Sequence, residues 1–330
     1  MKITKPSVEI MRTGLETDII IPEQFIERVG RTCYKSEDKI TDDSAVKFVS
    51  NIIKRGHEAV IEHWNLIFET DRGYYTRALS EWDTLMHYCY KHADEQLRPN
   101  LRFTESCSEN NSSRYVISGN MRAWRDFIKA YIANFSFLPR YLHGIVRTYP
   151  LFFPEYQVYA PEVFFNDILV PIDVSKLNDY ERRIHQNVTV KFICDRGVSH
   201  EIVRHRVASF AQESTRYCNY SQDKFDHEIT VVRPSWCNKA DDRYKRWFEG
   251  CLNAENAYFS MLDEGCTPQE ARSVLPNSLK TELVVTMNLD GWRHFFTLRC
   301  SPAAHPDMKE VADMAKEQFA KFVEDATVLL

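Results

Sequence analysis

Between Ser199 and Tyr217 the chain reads Ser-His-Glu-Ile-Val-Arg-His-Arg-Val-Ala-Ser-Phe-Ala-Gln-Glu-Ser-Thr-Arg-Tyr. From Arg204 to Arg216 stand three arginines (Arg204, Arg206, Arg216), three hydroxyls (Ser209, Ser214, Thr215) and Gln212. Guanidinium forks match phosphate oxygens two at a time, and hydroxyls and amides read the edges of a base. The stretch therefore suits a nucleotide anion. The competing reading is a solvated amphipathic helix with surface arginines, which is what an arbitrary Arg-x-Arg usually marks. If the first part of the stretch is helical, Arg204 and Arg206 project about 200° apart and cannot easily grip one phosphate together. They would then suit two ligands meeting at one element.

Other chemistries are excluded by spacing. His57-Glu58-x-x-x-Glu62-His63 and His200-Glu201-x-x-Arg204-His205 place their histidines six and five residues apart. Two histidines on one helical face need a separation of four to share a zinc ion, so no metal site is expected. The 10 glycines form neither a G-x-G-x-x-G nor a Walker A loop, so a flavin or nucleotide must be held in another way. The nine cysteines are scattered singly with no C-x-x-C pair, and read as reduced thiols. A net charge of −5 argues against general nucleic-acid binding. No apolar run approaches a membrane span and the N-terminus lacks a signal-type stretch, so a soluble, cytoplasmic protein is expected.

The elements that must position these residues are legible in places. Asp43 or Ser44 can cap a helix with Val46, Val49, Ile52 and Ile53 on one side, stopped at Gly56. The segment from His57 to Thr70 then ends in a strand through Trp64, Leu66 and Phe68. The spacing of Tyr244, Phe248, Cys251, Ala254, Tyr258 and Met261 predicts a helix ended by Gly265. Thr267-Pro268-Gln269-Glu270 is a capping-box start for the next one. A last helix is expected from about Pro306 to Asp325, with Met308, Val311, Ala315, Phe319 and Phe322 inward. Residues 71–188 read as a mostly helical insertion with loops, including the polar stretch at 106–114. Within it, Asn120-x-x-x-Trp124-Arg125-x-Phe127 matches Asn288-x-x-x-Trp292-Arg293-x-Phe295. The match is either a duplicated strand-to-helix unit or chance.

Arg204-His205-Arg206, seven residues, then Ser214-Thr215-Arg216-Tyr217 resembles the signature of the flavin-dependent thymidylate synthases, also called the thymidylate synthase-complementing family. Further segments resemble the family in the expected order: Arg31 to Tyr34, Gly56-His57-Glu58 with Glu62-His63, Arg272-Ser273-Val274-Leu275-Pro276, and Asn288, His294-Phe295, Leu298-Arg299 and His305. The resemblance implies an α+β fold, an antiparallel sheet with packed helices, forming one domain over 1–330 interrupted at about 71–188. It implies reductive methylation of dUMP to dTMP, with methylenetetrahydrofolate as carbon donor and NADPH or NADH reducing FAD.

By the same resemblance, FAD would be held by His57, Arg204, His205, Arg206, Gln212, Asn288 and His294. The nucleotide dUMP would be held by Glu201, Arg204, Gln212, Glu213, Ser214, Thr215, Arg216, Arg272 and Arg299, with Arg272 coming from another chain of a homotetramer. Arg299 would face the uracil ring as the catalytic residue. Its bland alternative is an ion pair with a carboxylate such as Asp307. Glu201 stands where the family often carries glutamine, and a carboxylate there would repel a phosphate. Two other classes fit the same residues: a different flavin or nucleotide enzyme, and a noncatalytic nucleotide-binding protein.

Overall fold

A computed structural model describes residues 1–12, 14, 21–71, 101–107, 113–160, 169–237 and 241–321. Strands are β1 (Lys2–Thr4), β2 (Ser7–Arg12), β3 (Asn65–Asp71), β4 (Leu101–Cys107), β5 (Ser113–Asn120), β6 (Val170–Pro171), β7 (Asn187–Asp195), β8 (Ser209–Gln212), β9 (Thr230–Val232) and β10 (Lys280–Asn288). Helices are α1 (Pro22–Tyr34), α2 (Ser44–Lys54), α3 (Met121–Phe135), α4 (Arg140–Thr148), α5 (Asp179–His185), α6 (Arg196–Ile202), α7 (Asp242–Asp263), α8 (Pro268–Ala271), α9 (Leu289–Arg299) and α10 (Pro306–Phe319). The expected mixture of helices and antiparallel sheet is present. Two compact units divide the chain, one made of Met1–Thr13, Arg28–Lys39 and Val188–Leu330, the other of Gly14–Glu27 and Ile40–Asn187.

The first unit is built on a four-stranded sheet ordered β2-β7-β10-β8, in which β2 pairs antiparallel with β7 and β8 with β10. Alternation along a strand sends successive side chains to opposite faces. On one face Val188, Val190, Phe192 and Cys194 of β7 and Leu283, Val285 and Met287 of β10 join a core completed by Trp292, Phe295 and Phe296 of α9 and Met308, Val311, Ala315 and Phe319 of α10. The other face carries buried polar side chains beside the apolar Val284. Thr189 and Thr286 share a hydroxyl hydrogen bond of 2.8 Å there, and Glu282 lies among lysines. A smaller core gathers Cys218, Tyr220, Ile229, Cys251, Tyr258 and Leu279 against α7.

The second unit contains the sheet β4-β5-β3-β6, all of whose strand pairs are antiparallel. Of the segment read as mostly helical, 101–107 and 113–120 are strands, while α3, α4 and α5 supply a larger share of its described residues than strands do. The strands at 101–107 and 113–120 continue the sheet begun by β3, because a half-buried β3 needs partners on both edges. Residues 72–100, part of the polar loop, Phe322 and Asp325 lie outside the described residues.

Helix ends follow local chemistry. Gly56 closes α2 with φ +67°, and Gly265 follows α7 with φ +94°, conformations in which a side chain is strained. The buried face of α2 is Ala45, Val49 and Ile52, so Val46, one position off that stripe, is exposed rather than inward. At the start of α8, Glu270 accepts from the Thr267 N–H and hydroxyl, each at 2.8 Å, as the capping-box sequence predicts.

The repeated eight-residue pattern recurs as structure. Asn120 ends β5 and its side-chain oxygen accepts from the Ala123 N–H at 2.8 Å, starting α3; Asn288 ends β10 and accepts from the Gly291 N–H at 3.0 Å, starting α9. In both helices the tryptophan and phenylalanine are buried and meet edge to face, Trp124 with Phe127 and Trp292 with Phe295. Arg125 and Arg293 differ: Arg125 is buried, donating to the Phe152 carbonyl and pairing with Glu58 and Glu155, whereas Arg293 pairs at the surface with Asp290.

Candidate active site

Helix α6 starts with Asp195 as its cap, the carboxylate accepting the Val198 N–H at 2.7 Å, and it ends at Ile202. Arg204 and Arg206 therefore do not sit on a helix. Strand β8 must begin at Ser209 to pair with Thr286, so residues 203–208 form the turn between the two elements. The opposed helical directions expected for the two arginines are lost, but both side chains are exposed, flanking a buried His205.

His205 packs against Phe295 with ring centroids 4.9 Å apart and approaches His294 edge to face at 6.0 Å. Its Nε2 accepts a hydrogen bond of 2.9 Å from Arg299 Nε. Burial, with help from Arg299 and His294, pushes its pKa down to about 4, so the ring is neutral at physiological pH. An accepting Nε2 then requires the proton on Nδ1.

Arg299, the last residue of α9, also donates from Nη1 to Glu201 Oε2 at 2.6 Å and from Nη2 to the Glu201 carbonyl at 3.1 Å. The expected ion pair with a carboxylate is therefore present, but its partner is Glu201 and not Asp307, whose Oδ1 accepts from Ser235 N–H and Oγ at 2.7 and 2.6 Å. Arg299, His205 and Glu201 thus form one cluster.

After β8 the chain alternates. Gln212 Nε2 donates to Ser199 Oγ at 2.9 Å and Thr281 Oγ1 at 3.2 Å. Glu213 turns to the opposite face, buried, and pairs with Lys280 at 2.9 Å. The Ser214 N–H donates to the Cys33 carbonyl at 3.0 Å, and Thr215 is buried while Arg216 is exposed. Arg272 is exposed on the single turn following α8, and His294 is exposed on α9. Asn288 uses its side-chain oxygen as the α9 cap. His57 lies in the second unit, exposed at the start of the turn Glu58–His63.

Sequence reasoning missed the lysines. Glu282 on β10 is buried and receives Lys35 at 2.7 Å and Lys280 at 2.6 Å on Oε1, with Lys191 at 2.5 Å from Oε2. Burial alone would raise its pKa, but Lys280, Lys191 and Lys35 hold it well below the usual carboxylate range. The available signal was a charged pair, Lys280 and Glu282, set two apart at the head of the apolar run Leu283 to Val285.

The class of protein to which this site is similar is defined by one family match. Residues 183–323 fit the family described as thymidylate synthase complementing protein. A flavin-dependent thymidylate synthase of Pyrococcus furiosus is 35% identical over 128 residues, covering 39% of this chain and 52% of that protein. One of Geobacter sulfurreducens is 38% identical over 118 residues, covering 36% and 49%. The chain thus spans about half the length of these curated relatives. Among solved structures, a UMP/dUMP methylase from Streptomyces cacaoi bound with 5-Br dUMP aligns with a TM-score of 0.35 and 24% identity, over 42% of this chain and 67% of the other. Among the described residues, no helix is long and apolar enough to cross a membrane.

Proposed function

We propose that the chain is a flavin-dependent thymidylate synthase with the fold of that family, a single domain over 1–330 carrying an insertion at about 71–188. It methylates dUMP with methylenetetrahydrofolate, using FAD and NADPH or NADH, and works as a cytoplasmic homotetramer. The observation that carries this reading is the Arg299–His205–Glu201 cluster beside exposed Arg204 and Arg206, inside the segment that fits the family.

The donor set suits the cofactor. Two exposed guanidinium groups complement a dinucleotide's phosphates, and a neutral imidazole backed by Phe295 offers a surface without unpaired charge. Arg204, His205, Arg206, Gln212, Asn288 and His294 would hold FAD, with His57 assigned to it from the sequence resemblance. The flavin supplies the hydride that completes the methyl group.

The protein's own contribution is charge placement. Methylation at carbon is easier once the ring nitrogen between the two carbonyls has lost its proton, because the anion pushes electron density toward that carbon. A fixed guanidinium beside the nitrogen favours the anion. Of the five N–H donors of a guanidinium, three on Arg299 are engaged with His205 and Glu201, which leaves two for the base. His205 holds the Arg299 plane without adding charge. Glu201 keeps the pair neutral until the base anion takes its share of the arginine. Ser214, Thr215, Arg216, Gln212 and Arg204 bind the nucleotide, with Glu213 beside them and Arg272 supplied by another subunit. Incubating the protein with FAD, NADPH, methylenetetrahydrofolate and dUMP should yield dTMP. The reading fails if flavin is bound and reduced yet dUMP is returned unchanged.

A further inference from the structure

The polar face of the first unit's sheet poses a problem of cost. Glu213 and Glu282 are both buried carboxylates, and taking two anions out of water is unfavourable unless each is closely paired. Buried ion pairs contribute little net stability against an apolar replacement of the same shape, so a function other than stability is the more economical account of their presence.

Lys280 is the hinge of this arrangement. Its Nζ lies 2.9 Å from Glu213 Oε2 and 2.6 Å from Glu282 Oε1, so a single ammonium group ties the segment after β8 to β10. Two backbone bonds reinforce the tie: the Glu213 N–H donates to the Glu282 carbonyl at 2.8 Å, and the Ser214 N–H to the Cys33 carbonyl at 3.0 Å. Lys35, two residues beyond Cys33, reaches back to Glu282 at 2.7 Å and to Glu37 at 3.1 Å. Lys35 holds a left-handed backbone, φ +48°, which a non-glycine residue rarely adopts unless its surroundings fix it. Lys191 occupies the other oxygen of Glu282 from β7. Three lysines and three carboxylates, Glu37, Glu213 and Glu282, thus balance one another beneath the segment. Each of the three ammonium groups is thus engaged by a carboxylate, which favours positioning over binding.

We propose that Lys280 is a positioning residue: by clamping Glu213 onto Glu282 it fixes the orientation in which Ser214, Thr215 and Arg216 meet the nucleotide, without touching the nucleotide itself. Strand alternation makes the effect direct. With Glu213 held on the buried face, Gln212 at the end of β8 faces the other way, and Ser214 opens the turn in which its carbonyl accepts from the Tyr217 and Cys218 N–H groups. The role rests on the nucleotide assignment made above for residues 212–216, and it has a consequence that does not depend on that assignment.

The test compares Lys280→Met, which keeps the stem and deletes the charge, with Lys280→Arg, which can still bridge two carboxylates. In the flavin-loaded protein, amide hydrogen exchange at 213–217 should quicken about tenfold in Lys280→Met, corresponding to loss of one modest interaction. Exchange at 283–287 should be unchanged, and Lys280→Arg should restore protection. The dUMP concentration for half-maximal rate should rise by a similar factor, with maximal rate and bound flavin close to wild type. Should Lys280→Met fail to fold, Lys280→Gln, which keeps a polar end group and deletes the charge, is expected to show the same two changes. Unchanged exchange at 213–217 in a folded variant would overturn the proposal, as would a dUMP dependence within twofold of wild type. Wild-type protein that does not turn over dUMP would defeat the functional reading instead, and the exchange comparison would still decide whether the clamp exists.

Discussion

The Nε of Arg299 donates to Nε2 of His205 across 2.9 Å, joining the end of α9 to the turn that leads into β8. Each residue thereby defines the other. The imidazole must carry its proton on Nδ1, and the guanidinium plane is held by a partner that adds no charge.

Arg299 carries the sharpest catalytic expectation. Arg299→Ala should lower dTMP formation by at least about a hundredfold, the scale seen when a transition-state charge partner is removed. Arg299→Lys keeps the charge but cannot reach both His205 and Glu201 with a planar fork, so it should be impaired to a lesser degree. Bound flavin and its reduction by NADPH should change much less in both variants. Near-normal dTMP yield from the alanine variant would remove Arg299 from base activation. Loss of flavin would move it to cofactor binding.

His205→Ala should weaken retention of FAD more than it lowers melting temperature. The lost contact with Phe295 is only part of a core that also holds Trp292 and Phe296. Equal flavin occupancy in variant and parent after gel filtration would take His205 out of the cofactor site.

In the second unit His185 is fully buried, its Nδ1 2.7 Å from Ser118 Oγ and its Nε2 2.9 Å from Thr104 Oγ1. Burial, with Arg102 and Arg114 nearby, pushes its pKa down to about 3. A base with a depressed folded pKa binds its proton more readily when unfolded. Its contribution is present above the unfolded value near 6.5 and is lost as pH falls from there toward about 3, at up to about 1.4 kcal/mol per pH unit. Urea midpoints at pH 7 and pH 5 should therefore differ more for the parent than for His185→Gln. Parallel behaviour of the two would contradict the neutral, buried imidazole.

The two asparagine caps should be worth similar amounts. Asn120→Ala and Asn288→Ala are each expected to cost about 1 kcal/mol, and replacement by aspartate or serine should recover most of it. Thermal unfolding of the alanine, aspartate and serine variants at both positions checks this. A negligible loss in either alanine variant would mean that its helix start is held by packing alone.

Much of this local structure could be read from the chain. Gly56 and Gly265 mark real helix ends, the capping box at Thr267 forms, and the inward residues of α10 from Met308 to Phe319 are buried. Failures occurred where tertiary partners decide. Val46 looks inward by hydrophobicity alone, but Ala45 and not Val46 continues the stripe through Val49 and Ile52. Residues 101–120 look helical or irregular until β3 is seen to need a partner. Arg204 and Arg206 look helical until the register of β8 on β10 claims Ser209. In the site, the types of residue around Ser199 to Tyr217 announced anion chemistry. That Glu213 faces a lysine and Arg299 a glutamate could not be read, since both partners lie at least 67 residues away along the chain.

The site assignment also predicts sharing between subunits. Arg272→Ala and a variant with Ser214, Thr215 and Arg216 changed to alanine should each be inactive alone. Mixed under conditions that exchange subunits, they should regain part of the activity through hybrid oligomers. Full exchange, shown by mass, without recovered activity would place Arg272 and the 214–216 segment in the same subunit's site.

The visible spectrum of the purified protein, followed through one cycle, tests the central claim most directly. The account predicts a noncovalent flavin band that bleaches on adding NADPH without oxygen and returns on adding dUMP with methylenetetrahydrofolate, with one dTMP formed for each flavin reoxidised. A bleached flavin that stays reduced when both substrates are present, with no dTMP formed, would contradict it.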